Sequence, residues 1–99
     1  MRSEEQQKRE ALSDIRRGSE AEAMLNNPLY IETFAAIEAA MFVEFRDSKL
    51  GDEELRHELW QRMQLAKQFQ GRFESIVKHG NKGKQTLTLL DKAKRMTGF

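Results

Sequence analysis

Between Asn26 and Arg46 the apolar residues fall into a helical rhythm. Tyr30, Phe34, Ile37, Met41 and Phe45 follow one another at intervals of four, three, four and four, the spacing of one helix face. Asn27 and Pro28 predict where that helix starts. The asparagine side chain can accept from the first free N–H groups, and proline gives up an N–H that has no intrahelical acceptor there. The remaining faces carry Ala35, Ala36, Ala39, Ala40 and Val43, so the helix is apolar or small nearly all round. Such a helix is expected to be covered on more than one side. It should end near Asp47, with Ser48 to Gly51 as a short turn.

A second long helix is predicted over about residues 52–79, opened by Asp52, Glu53 and Glu54, whose charge suits a helix N-terminus. Leu55, Leu59, Ala66, Phe69, Phe73 and Val77 form its apolar stripe, with Met63 and Ile76 on the margins. Two stripes of matched length joined by a short turn predict an antiparallel helical hairpin. A turn centred near Lys49 sets Met41 beside Leu55 and Leu59, and Phe34 beside Gln64 and Ala66.

The flanks read differently. Residues 3–17 form a polar helix with Glu4/Lys8 and Glu5/Arg9 in the favourable order four apart. Only Leu12 and Ile15 offer it apolar contacts, so a solvated arm ending at Gly18 is expected. Ser19 to Glu22 has the form of a capping box and should open a short helix through Leu25. Gly80 should close the second long helix in a left-handed position, and the glycines and lysines from Gly80 to Thr86 read as a flexible linker. Thr88 then begins a short basic helix bearing Leu90, Ala93 and Met96 and ending at Gly98. The expected fold class is all-α, an antiparallel helical hairpin with short flanking N- and C-terminal helices. Its parts are an arm over 1–18, a core over 19–79 and a basic tail over 80–99.

Composition narrows the class without naming an activity. Ninety-nine residues with 33% charged and 38% hydrophobic content suit one small helical domain, near the size where association supplements the core. The apolar helix is interrupted by Glu32, Glu38 and Glu44, which argues against a membrane span. The charged beginning of the chain has no apolar segment of the signal-peptide kind. Cysteine is absent, which removes disulfides and thiolate metal sites and fits a reducing compartment. Net charge is only +1, yet Lys82, Lys84, Lys92, Lys94 and Arg95 stand against Asp91 alone after Gly80. That tail suits an acidic or phosphate-bearing partner.

Candidate chemistry is sparse. Glu38 and Arg62 interrupt the two stripes within about one turn of each other across the hairpin, predicting a partly buried structural ion pair that fixes register. No second titratable group or pocket accompanies them, so no catalytic residue, cofactor or enzyme activity is expected. His57 and His79 lack further ligand-type residues at metal-binding spacing, and no metal site is expected. The run from Gly80 to Thr86 departs from the phosphate-loop form GxxxxGK[ST], since its spacing is short and Gln85 intervenes. Trp60 lies off the stripe beside Gln64, Lys67 and Gly71. An exposed Trp invites a partner, and a mid-helix Gly suggests close approach by another helix. With Ala35, Ala36, Ala39, Ala40 and Val43, these residues predict a self-association surface.

The ordered residues Ala23-Met24-Leu25-Asn26-Asn27-Pro28-Leu29-Tyr30, then Phe34, Ile37, Glu38, Phe45, Asp52, Arg56, Leu59, Trp60 and Gly80, resemble small helical-hairpin proteins of tailed bacteriophages over about residues 20–80. The resemblance implies a phage context in virion assembly or DNA packaging, with small terminase subunits as one helical, oligomeric comparison. No basic recognition helix of the helix-turn-helix type is evident. The expectation is a non-enzymatic assembly or packaging component. It would form homo-oligomers through its hairpin and dock a larger virion or packaging protein through its basic tail. The alternatives are a small inhibitor of a host protein and a nucleic-acid-binding accessory protein.

Overall fold

The computed structural model describes residues 3–96, which form three α-helices: α1 (Glu4–Leu25), α2 (Pro28–Asp47) and α3 (Glu53–Met96). The helix expected to end at Gly98, and the tail as far as Phe99, run at their last residues outside the described range, as do Met1 and Arg2 of the arm. The helix starts follow local chemistry. Asn27 Oδ1 accepts from the Leu29 and Tyr30 amides at 2.9 and 3.2 Å, and Pro28 holds the first helical position. Ser3 Oγ accepts from the Gln6 amide at 3.1 Å, and Asp52 Oδ1 from the Leu55 amide at 3.1 Å. Each cap satisfies donors that the first helical turn leaves free.

The helices contribute to two compact units, residues 24–72 and the pairing of residues 1–23 with 73–99. In the second of these, α1 runs antiparallel to the C-terminal half of α3. Gly18 meets Gly80 so closely that a Cβ on Gly18 would lie 2.9 Å from the Gly80 Cα. A Cβ on Gly83 would lie 2.7 Å from the Ala11 carbonyl oxygen. Ala11, Gly18 and Ala21 are buried there, spaced by seven and three residues along α1. At the far end Lys94 Nζ stands 3.7 Å from Glu4 Oε1.

This packing corrects the flanks. Gly18 does not end a helix, and Ser19 does not open one, because α1 continues through both. The solvated arm is instead a docked helix. Gly80 does not close the second helix, and the Gly80–Thr86 run is helical rather than a flexible linker. Thr88 starts nothing. Its hydroxyl donates back to the Lys84 carbonyl at 3.0 Å inside α3, and Thr86 does the same to Lys82 at 3.1 Å. A helix-interior glycine costs about 1 kcal/mol relative to alanine. Here the missing side chains let two backbones approach, and the dispersion attraction between them offsets that loss.

In the unit of residues 24–72, the chain turns at Ser48–Asp52 and α3 doubles back beside α2. The turn is fixed by Arg56, whose guanidinium lies 4.3 Å from the Phe45 ring centroid and donates to Ser48 Oγ at 3.0 Å. Phe34 and Leu59 are its buried apolar residues, at 8% and 2% exposure. Tyr30, Met41, Phe45, Met63 and Ala66 are half-buried. The expected stripes are too wide, however: Ile37, Leu55 and Phe69 face outward. Contacts from Phe45 to Arg56 and from Glu44 to Arg62 also lie further along α3 than a turn centred on Lys49 would set them. The hairpin expected over 19–79 is therefore found in part, with α1 and the C-terminal half of α3 supplying the tighter association.

Candidate interaction surface

The residues singled out for chemistry do not converge on a pocket. Arg62 pairs with Glu58 at 2.7 Å, one turn earlier on α3, and stands 3.9 Å from Glu44 of α2. Glu38 is exposed and not among its partners, so the expected Glu38–Arg62 pair is corrected. The reason is reach within a helix: Glu58 is presented to Arg62 at i,i+4 without any tertiary requirement. With Arg62 more than half exposed, the pair contributes little net stability.

The surface expected for association is open. Ala35, Ala36, Ala39 and Ala40 are exposed, and Val43 is 41% exposed. Trp60 is 50% exposed and stacks on His57, with centroids 5.9 Å apart and planes 17° from parallel. Gln64 is half-buried. At Gly71, expected to mark a close approach by another helix, a Cβ would meet nothing within 4 Å. The glycines in close contact within the chain are Gly18, Gly80 and Gly83.

Several exposed apolar residues lie outside the surface that the spacing predicts. Phe42 is 60% exposed, Leu65 67% and Leu29 69%. On α2, Glu32, Ala35, Ala39, Phe42 and Arg46 follow at intervals of three, four, three and four, one row on the side turned away from Phe34. Ala36 and Val43 flank that row. Glu32 is exposed at one end, and Arg46 sits at the other beside Asp47 at 3.2 Å. The legible signal was the seven-residue step Glu32–Ala39–Arg46.

The basic tail is helical through Arg95, so Lys82, Lys84, Lys92, Lys94 and Arg95 are carried on α3 rather than on a loose segment. Lys8 of α1 faces Lys94. Hydrogen bonding to Lys94 and its positive charge hold the Lys8 ammonium below the usual lysine range. Lys94 is pushed up, first by its hydrogen bond with Lys8 and then by the Glu4 carboxylate. Nearby, Glu10, Asp14, His79 and Lys82 line an open groove of about 320 Å³ over the Ala11–Gly83 contact. Among the described residues, no group of three or more His, Cys, Asp or Glu side chains is arranged to hold a metal ion. No helix among them is long and apolar enough to cross a membrane. No protein-family model, curated protein or solved structure matches this chain.

Proposed function

We propose that this protein is a non-enzymatic, self-associating helical component of phage-type virion assembly or DNA packaging. The hairpin of α2 with the first half of α3 is its associating element. One observation carries this reading: residues 24–72 bury Phe34 and Leu59 while leaving Leu29, Ile31, Phe42, Trp60, Leu65 and Phe69 each at least half exposed. Bulky apolar groups in that density on a two-helix unit call for a covering protein surface. The phage setting rests on the sequence resemblance over residues 20–80. The lysines and Arg95 on the C-terminal half of α3 serve, in this reading, as the contact to a larger acidic or phosphate-bearing partner.

Light scattering on the full chain across a hundredfold concentration range tests the reading. The expected result is a mass at least twice 11.6 kDa that falls on dilution. A constant monomer mass would defeat it and favour the host-protein inhibitor. A steeply salt-dependent affinity for DNA, lost when Lys92, Lys94 and Arg95 are neutralised, would favour the nucleic-acid accessory role.

A further inference from the structure

The outer row of α2 is self-complementary when read in both directions. Starting from Ala39 and moving seven residues each way reaches Glu32 on one side and Arg46 on the other. Stepping three and four residues reaches Ala36 and Ala35 toward the N-terminus, and Phe42 and Val43 toward the C-terminus. One half of the row is therefore small and acidic, and the other is bulky and basic. A two-fold axis matches residue i of one copy with residue j of the other, and j with i. We infer that α2 packs antiparallel on α2 of a second copy of this chain, with Ala39 on the dyad. Each Phe42 lies over Ala35 of the other copy, each Val43 over Ala36, and each Glu32 faces Arg46 across the contact.

Two features single out a second copy as occupant. The first is charge: an antiparallel pair forms two Glu32–Arg46 contacts, whereas a parallel pair in register sets like charges together. The second is volume, since the alanines receive Phe42 and Val43, which are 60% and 41% exposed in the single chain.

This inference rests on the self-association proposed above, and charge swapping separates the two. Sedimentation of the full chain should show Glu32→Arg and Arg46→Glu each raising the dimer dissociation constant roughly tenfold, by turning two attractive contacts repulsive. The double variant E32R/R46E should return it to within about threefold of the wild type. Rescue by the double variant also shows that the single variants fold. Ala39→Cys supplies an independent readout, because the chain has no cysteine of its own. Under mild oxidation it should form a covalent dimer, whereas Gln68→Cys should not. If the wild type dimerises but the double variant is no better than the single ones, or oxidised A39C stays uncrosslinked, the antiparallel α2 contact is wrong and the association stands. If the wild type is monomeric throughout, both fall.

Discussion

The two units solve the same problem with opposite materials. Where α1 meets the C-terminal half of α3, contact is made by what is missing: Gly18, Gly80 and Gly83 bring backbones together, with Ala11 and Ala21 buried beside them. Among the described residues, Leu12, Leu89 and Met96 are the large apolar side chains left exposed there. Residues 24–72 hold the bulk of the aromatic and aliphatic side chains, yet enclose only Phe34 and Leu59 below one-tenth exposure. A small-residue contact can be completed inside one chain because it needs little volume to fill. Two helices rich in large residues cannot enclose all of them, since a helix pair has one mutual face. Density of apolar residues therefore marks the part of this chain that leaves the most large side chains exposed, and scarcity marks the part whose contact is completed within the chain.

That contrast can be broken at its core. Leu59→Ala removes the most buried large side chain of the 24–72 unit and should cost about 2–5 kcal/mol by thermal or denaturant unfolding. A loss well under 1 kcal/mol would mean that the unit's own interior contributes little and its partner supplies the stability. The glycine contact offers a test of sign. Gly83→Ala should destabilise by about 1–2 kcal/mol net, because overpacking against the Ala11 carbonyl outweighs the gain in helix propensity. Gly71→Ala, in open space, should stabilise by up to about 1 kcal/mol. If both substitutions stabilise, the close packing of α1 on α3 is disproved. A smaller effect concerns the α2 start. Asn27→Ala strips the acceptor from two amides and should cost about 1 kcal/mol, read as the same loss by denaturant midpoint at fixed m-value. The smallest is chemical. With its pKa lowered by Lys94, Lys8 holds more neutral amine at pH 8 than Lys94, so an acylating reagent should label Lys8 faster by mass spectrometry. Equal labelling would remove the Lys8–Lys94 contact from the picture.

Much of the helical framework was legible because its causes are local. The Asn27–Pro28 start and the turn before Asp52 depend on residues within a few positions of one another, and they lie where the sequence indicates. The outer face of α2 was partly legible. Its alanines and Val43 were visible as a surface, but attention to alanine hid Phe42, Glu32 and Arg46 in the same row. Arg62 was misassigned because a count across the hairpin cannot compete with Glu58 waiting one turn away.

By itself, the sequence determined that this chain is helical, where α2 begins and which stretch concentrates the large apolar residues. Those follow from capping, propensity and periodicity, all of which act over a turn or two. Only the tertiary structure decided that Gly18 and Gly80 lie inside helices and that the polar first helix is docked. Taken locally, a glycine between polar residues disfavours a helix. Its meaning changes only when a second glycine about sixty residues away is brought against it, and no local pattern records that meeting.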